Sequence, residues 1–196
     1  MAFINLPYAR RYEKVYLAFI AGVAGYGLVP TAAVRDPSSQ YQLERIYQLI
    51  ASAQCSFHDL SWMSLDRKSP RTPRLNMAFE LGLAVGFAKS KEKHQWFVFD
   101  TVPYRLEKAL SDLGGIRARI HDHSPESVLR CLMNALAREK NQPTLENLLK
   151  IYGDVERMAR KIKGEYSNDL FDTRPFSELA YVASASAHLH IASLAA

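Results

Sequence analysis

Short hydrophobic runs alternate with helix-length segments along the first two thirds of this chain. The runs are close to continuously apolar, which is typical of strands in a parallel sheet that helices cover on both faces. The pattern predicts five strands, at residues 2–6, 28–33, 55–60, 95–100 and 116–121. Around them it predicts helices at residues 12–25, 41–53, 75–89, 104–113 and 124–139. We therefore expect an α/β domain built on one parallel sheet.

The alternation ends near residue 140, and two further helices are predicted beyond it. Thr144 is placed to cap the first of them. An apolar stripe runs along that helix and consists of Leu148, Leu149, Tyr152, Val155, Met158, Ala159 and Ile162. The second helix, from Pro175 onward, is rich in Ala and Ser. We predict an α/β domain over residues 1–140 and a C-terminal helical extension over residues 141–196. The stripe needs a partner surface on the sheet domain or on a second copy, and we expect a homo-oligomer through these helices.

Composition limits the class of partner. The 196 residues carry a formal charge of +5, which favours phosphate-bearing ligands but is far from a nucleic-acid-binding tail, so nucleic acid is not expected as a partner. Cys55 and Cys131 show no metal or redox spacing, which fits core residues in a reducing cytoplasm. The apolar run at residues 15–29 is too short and too rich in glycine to span a membrane, so we predict a buried helix and no membrane partner.

A doubly wound sheet of five strands has the expected order 2-1-3-4-5, the flavodoxin-like arrangement, with its switch point between the first and third strands. Ligands bind there, beyond the carboxyl ends of the strands. Asn5, Pro7 and Tyr8 follow or end the first strand, and Asp59 closes the third. The next loop leads into the helix that bears Glu80. We expect these three pieces of sequence to converge on one crevice.

Glu80 is the one charged residue among otherwise apolar or glycine positions from Met77 to Ala88. It is either a carboxylate aimed into the crevice or an acid that only favours the positive end of its helix dipole. Asn76 is either the N-cap of that helix or a ligand contact, and sequence alone favours the cap. Asp59 is either a loop-capping residue or a ligand to sugar hydroxyls.

A basic loop precedes the Glu80 helix and contains Arg67, Lys68, Arg71 and Arg74. Such a run is usually only solvated, but here it adjoins the predicted crevice, and guanidinium groups suit phosphate oxygens. There is no Walker-type loop and no GxGxxG after the first strand, so a phosphate would be held by side chains and helix ends. For His121 and His123 we favour loop hydrogen bonds over a metal site.

Four segments together resemble the nucleoside 2-deoxyribosyltransferase-like and TIR-like superfamily, particularly bacterial TIR-like proteins of nucleotide metabolism and antiphage defence. They are FINLPY at residues 3–8, HDLS at 58–61, NMAFELGLAVGFAK at 76–89 and LSDLGG at 110–115. The resemblance spans residues 2–138 and does not include the C-terminal helices. It implies a flavodoxin-like α/β fold. It also implies that the glutamate of the ELG motif, here Glu80, acts at the anomeric carbon of a ribosyl or deoxyribosyl group.

By the same resemblance Asp59 matches the acid after the third strand, and Asn5 and Tyr8 fall where the first loop approaches the ligand. One departure bears on the reaction. Classical deoxyribosyltransferases carry another carboxylate several residues before the ELG glutamate, whereas the segment PRTPRLN has none. Proton handling at a nucleobase would then need a different acid, which counts against base exchange. Nicotinamide leaves as a neutral base and needs less help.

These observations predict an N-glycosidic bond hydrolase that acts on NAD or a related nucleotide, without metal or cofactor, through Glu80 and Asp59. The predicted substrate-binding residues are Asn5, Pro7, Tyr8, Asn76, Arg71 and Arg74. Three alternatives stay open: a nucleotide-sensing TIR-like module without turnover, a nucleoside deoxyribosyltransferase, and an interaction protein in which Glu80 only stabilises its helix.

Overall fold

A computed structural model describes residues 1–35, 41–63, 69–90, 93–167 and 169–191. It contains one five-stranded, all-parallel sheet in the order β2-β1-β3-β4-β5. The strands are β1 (Ala2–Asn5), β2 (Pro30–Thr31), β3 (Cys55–Asp59), β4 (Gln95–Asp100) and β5 (Arg119–Ile120). The predicted flavodoxin-like fold class and strand order are confirmed.

Helices connect the strands and follow the last one. They are α1 (Glu13–Gly25), α2 (Gln42–Ser52), α3 (Asn76–Ser90), α4 (Arg105–Ala109), α5 (Pro125–Ala135), α6 (Leu145–Glu165) and α7 (Thr173–Ile191). Single turns of 3₁₀ helix precede α1 and follow α4. Thr144 caps α6, since its side chain accepts a hydrogen bond from the Asn147 backbone N–H. Among the described residues, no helix combines the length and the apolar character that crossing a membrane requires.

The two edge strands are shorter than predicted. β2 spans two residues instead of 28–33, and β5 spans two instead of 116–121. Each edge strand has one neighbour, so its apolar run is not matched by a second ladder of hydrogen bonds, and Pro30 has no N–H to donate. The central strands β1 and β3 end one residue earlier than predicted, and β4 matches the prediction. Hydrophobicity locates a strand well, whereas its length depends on its neighbours.

Side chains alternate along each strand, so the two faces of the sheet contribute to separate hydrophobic cores. Ile4, Phe57 and Phe99 belong to the core that contains α1 and α5. Phe3 packs in a second core with residues of α2 and α3. This alternation, which follows from the two-residue repeat of a strand, also decides to which face each polar residue at a strand end belongs.

Helix α1 lies inside the molecule, with every residue from Val15 to Gly25 buried. One side covers the sheet, and α5, α6 and α7 cover the rest. A helix that is apolar all round has to be buried in this way, so the predicted buried helix is confirmed. Leu148, Val155 and Ile162 of the α6 stripe are fully buried in the same core. The stripe thus finds its partner surface within the chain, which removes the reason given for a homo-oligomer; assembly stays a prediction. Helices α6 and α7 therefore pack against the segment before residue 140, where we placed the domain boundary.

Candidate functional site

Asn5 ends β1 at the switch point and is only 3% exposed. Its side-chain Nδ2 donates to the Met77 carbonyl oxygen of α3 at 3.0 Å and lies 3.0 Å from Nδ1 of His58. These two partners use both amide hydrogens. The Oδ1 atom accepts no hydrogen bond within the described residues, where every fully buried side-chain oxygen has a partner, so Oδ1 reaches solvent. Asn5 therefore keeps a solvent-accessible hydrogen-bond acceptor at the end of β1.

A buried chain of hydrogen bonds fixes that orientation. His58 Nε2 lies 2.9 Å from Ser56 Oγ, which lies 3.1 Å from Nε2 of His94, and His94 Nδ1 lies 3.1 Å from the Ala53 carbonyl oxygen. Because Asn5 donates to Nδ1 of His58, the His58 ring carries its proton on Nε2 and donates it to Ser56 Oγ. The Ser56 hydroxyl then donates to Nε2 of His94, and Nδ1 of His94 donates to the Ala53 carbonyl oxygen. Burial, with a smaller effect from His94, lowers the pKa of His58 to about 3. A neutral His58 is the acceptor that holds the Asn5 amide.

Glu80 lies one turn beyond Met77 in α3 and is 8% exposed. Among the described residues its carboxylate has no hydrogen bond and no ion pair. Burial raises the pKa of Glu80 to about 7. A carboxylate held only by the helix dipole would gain about 0.3–1 kcal/mol in its ionised form, and its pKa would fall. Burial thus favours the protonated form of Glu80, which is the direction opposite to that of a helix-dipole contact.

Tyr8 lies close enough to Glu80 for the Glu80 charge to act on its phenol. Burial is the main cause that raises the pKa of the Tyr8 phenol, and the Glu80 carboxylate raises it further, while Arg45 acts in the opposite direction. The Tyr8 ring packs against Phe171, with ring centroids 5.4 Å apart. Phe171 lies between α6 and α7, and its carbonyl oxygen accepts a hydrogen bond from the Arg35 backbone N–H at 3.0 Å. The C-terminal extension therefore supports the loop after β1, in which Pro7 is buried.

Asp59 is fully buried and forms a pair with His121. Its Oδ2 lies 3.0 Å from Nε2 of His121, and its Oδ1 accepts a hydrogen bond from the Ser61 backbone N–H at 2.7 Å. The backbone N–H of His123 donates to Nδ1 of His121, which leaves Nε2 as the protonated atom that faces Asp59. Asp59 thus has the loop-capping role considered from sequence and, in addition, an imidazole partner.

Asp59 and Glu80 approach the sheet edge from opposite faces. Along β3, Cys55 and Phe57 point into the α1 core, and Asp59 has the same parity. His58 has the opposite parity and meets Asn5 on the α3 side. Asn5 is hydrogen-bonded to α3 and Tyr8 is close enough to Glu80 for its pKa to respond to that carboxylate, whereas the Asp59 side chain extends toward the α1 face of the sheet. That all three pieces of sequence supply one crevice stays a prediction.

An open cavity of about 430 Å³ lies on the Asp59 side of the edge and is lined by Arg11, Tyr12, Ser61, Trp62 and His123. Trp62 stacks on Tyr12 with an interplanar angle of 12°. The Arg11 guanidinium carbon lies 3.8 Å from the Trp62 ring centroid. This cavity was not predicted, because its residues come from three parts of the chain with no shared motif.

The structure describes Arg71, Arg74 and Asn76 but not the whole of the basic loop. Arg74 lies over the Trp62 ring, with its guanidinium carbon 3.9 Å from the centroid. Arg71 is exposed. Asn76 is exposed and lies inside the first turn of α3 rather than at the cap, since helical bonding starts at the Leu75 carbonyl oxygen. The basic-loop residues 67 and 68 lie outside the described residues.

One buried acid at the same edge was missed. Asp100 ends β4, is 1% exposed, and accepts a hydrogen bond from Nε of Arg105 at 3.0 Å. Arg105 also donates to the Leu60 carbonyl oxygen at 2.9 Å. The rule that identified Asp59, a carboxylate at the carboxyl end of a strand, would have identified Asp100 too. Its full pairing with Arg105 and with two backbone N–H groups indicates a structural role.

Comparison with known proteins found no matching family model, no matching curated protein and no matching solved structure. Among the residues that the structure describes, no group of three or more His, Cys, Asp or Glu side chains is arranged to hold a metal ion.

Proposed function

We propose that this protein hydrolyses the N-glycosidic bond of NAD or a related nucleotide, with Glu80 as its catalytic carboxylate. The observation that carries the proposal is the state of Glu80: a buried carboxyl group without a partner among the described residues, at the switch point of the sheet, with a pKa of about 7. Isolated buried acids are costly, and strongly shifted pKa values cluster at functional sites.

Cleavage of an N-glycosidic bond creates a positive charge with which the Glu80 carboxylate can pair. As the bond between C1′ and the base nitrogen breaks, its electron pair leaves with nicotinamide, which departs as a neutral base, and positive charge develops on the sugar. A carboxylate beside that charge stabilises it, and water then adds to C1′ and releases a proton to Glu80 or to solvent. The products are ADP-ribose, nicotinamide and one proton. A cation at this position also favours the ionised form of Glu80.

Asn5 and Tyr8 have binding roles in this proposal. Asn5 presents an acceptor beside α3, which suits a ribose hydroxyl or the nicotinamide amide as donor. Tyr8 is a neutral phenol at physiological pH and is able to donate a hydrogen bond, and burial raises its pKa further. The ligand would then meet one acceptor, one donor and one titratable carboxylate.

A nucleotide-sensing module without turnover is the second candidate, and the pairing of Asp59 with His121 favours it. Asp59 is paired with His121 on the other face, so no second free carboxylate accompanies Glu80 among the described residues. For the same reason, base exchange by a nucleoside deoxyribosyltransferase receives no support. A leaving group that needs protonation would not be served at this site.

The test is release of base by purified wild-type and Glu80→Gln protein. Each preparation is incubated with NAD, nicotinamide mononucleotide and purine nucleotides, and the free base is measured by chromatography. We expect release by the wild type and a loss of about a thousandfold in the variant, equivalent to roughly 4 kcal/mol of transition-state stabilisation. The matched control is Glu146→Gln, which removes an exposed first-turn acid of α6, and it should keep full activity. Equal release by Glu80→Gln and wild type refutes the catalytic role, and binding without release by either favours the sensing module.

A further inference from the structure

Two guanidinium groups meet at one tryptophan on the cavity side of the sheet edge. Arg11 comes from the turn before α1, and Arg74 comes from the segment that enters α3. Their guanidinium carbons lie 3.8 and 3.9 Å from the Trp62 ring centroid, so they cannot be farther apart than the sum of these distances. The Trp62 side chain is itself held by its stack on Tyr12.

Stacking leaves the hydrogen-bonding edges of both arginines available. A guanidinium over a ring uses its flat face, whereas its five N–H donors lie in the plane of the group. Within the described residues, neither Arg11 nor Arg74 donates a hydrogen bond or forms an ion pair. Arg130, which lies in α5, is by contrast bound to Glu126. Two neighbouring cations that keep free donors and fixed positions match an anion with several oxygens.

The surroundings add further donors. Ser61 and His123 line the cavity of about 430 Å³ together with Arg11 and Trp62, whereas Arg74 reaches the site through its contact with the Trp62 ring. His123 has a positive φ of 68°, a strained conformation for a residue with a side chain. Two acids lie near His123: Asp59 is bound to His121 and to the Ser61 backbone N–H, and Asp122 accepts a hydrogen bond from the Ser124 backbone N–H. The described residues that line the cavity itself include one cation and no carboxylate.

We propose that Arg11, Trp62 and Arg74 form a binding site for the diphosphate of a nucleotide. Each guanidinium takes one phosphate through in-plane N–H donors, and Trp62 keeps the two groups at a fixed separation. The inference deepens the proposed function and rests on it for the identity of the whole ligand. It narrows the substrate class from nucleotides in general to those with a diphosphate linkage, as in a dinucleotide. It also adds Arg11, which the basic loop did not include.

The experiment measures binding and needs no turnover. Trp96→Phe leaves Trp62 as the one remaining tryptophan of the chain, so its fluorescence reports directly on the site. In that background we would titrate ADP, adenosine and inorganic pyrophosphate, and confirm the ADP affinity by calorimetry. The variants are Arg11→Met and Arg74→Met. Arg10→Met is the matched control, because Arg10 is an exposed neighbour of Arg11 that does not line the cavity.

We expect ADP and pyrophosphate to change Trp62 fluorescence and each arginine variant to weaken ADP binding about tenfold or more. Adenosine affinity should change less than about twofold, as should ADP affinity in Arg10→Met. Undetectable ADP binding, or unchanged ADP affinity in both arginine variants, overturns the proposal. Equal losses for ADP and adenosine also overturn it and indicate that a nucleobase stacks on Trp62. If ADP binding depends on these arginines but no base is released from NAD, only the proposed hydrolysis is refuted. If base is released but ADP binding does not depend on the arginines, only this site is refuted.

Discussion

Replacing Glu80 with Gln should stabilise the protein at neutral and alkaline pH. The ordinary pKa of a glutamate is 4.5, and burial raises that of Glu80 to about 7 in the folded state. Between these values the unfolded chain has lost the proton that the folded chain still binds. Stability contributed by the protonated group is therefore complete below pH 4.5 and is lost as pH rises through about 7.

The size of the effect follows from the shift. At 1.36 kcal/mol for each pKa unit, the difference between 4.5 and about 7 corresponds to a cost of at most about 3 kcal/mol above pH 7. Glutamine is never ionised, so Glu80→Gln removes that cost but keeps a polar group to bury. We expect the variant to be more stable than wild type by about 1–3 kcal/mol at pH 8, and nearly equal to it at pH 4.5.

Urea unfolding of both proteins at several pH values between 4.5 and 8.5 measures this difference. Other titrating groups, including His58, are common to both proteins and cancel to a first approximation. The helix-dipole interpretation predicts the opposite sign, a loss of about 0.3–1 kcal/mol wherever Glu80 is ionised. A variant that is less stable than wild type at pH 8 would refute our account of Glu80. If Glu80→Gln is more stable than wild type and no longer releases base, Glu80 lowers the stability of the fold and is required for activity.

Two further predictions concern the relay behind Asn5 and the packing of α1. His58 should stay neutral with its proton on Nε2 at pH 5, because burial lowers its pKa to about 3, and ring ¹⁵N shifts of labelled protein would contradict this if they showed a doubly protonated ring. Gly25→Ala should lower the free energy of unfolding, because the new Cβ would overlap the Leu148 side chain, whereas Gly153→Ala in α6 meets open space and should raise it by about 0.5–1 kcal/mol. Comparable urea midpoints for the two glycine variants would contradict that packing.

The fold was predictable because its signal is local and repeated. Each central strand is a short apolar run, each is followed by a helix-length segment, and only a few sheet orders suit that alternation. Glu80 was predictable for the same reason, since a single charge in an apolar helix is visible without any structure. The lengths of β2 and β5 were not, because an edge strand ends where its single neighbour stops pairing.

The arrangement of the site depended on facts that the sequence pattern does not contain. Both faces of this sheet are covered, so polar and apolar residues give no indication of whether Asp59 belongs to the α1 side or the α3 side. Its partner His121 is 62 residues away, and Arg11 meets Trp62 across 51 residues of sequence. His121 was assigned to loop hydrogen bonds, and the structure adds that its partner is the very acid assigned to catalysis. That contact is the reason why the proposed function names Glu80 alone as the catalytic carboxylate.

The C-terminal helices have a closer relation to the site than an appendage would have. The sequence contains a helix at residues 15–29 without a polar face and an apolar stripe on α6 that needs a partner surface. In the structure these two apolar surfaces pack in one hydrophobic core. The connection between α6 and α7 then reaches the sheet edge, where Phe171 packs on Tyr8 and on Tyr16, whose hydroxyl donates to the Leu170 carbonyl oxygen at 3.3 Å. Tyr8 is also the residue whose pKa responds to Glu80. A change in how α6 and α7 pack would therefore move a wall of the proposed site, so the extension is in a position to influence ligand binding without contacting the ligand.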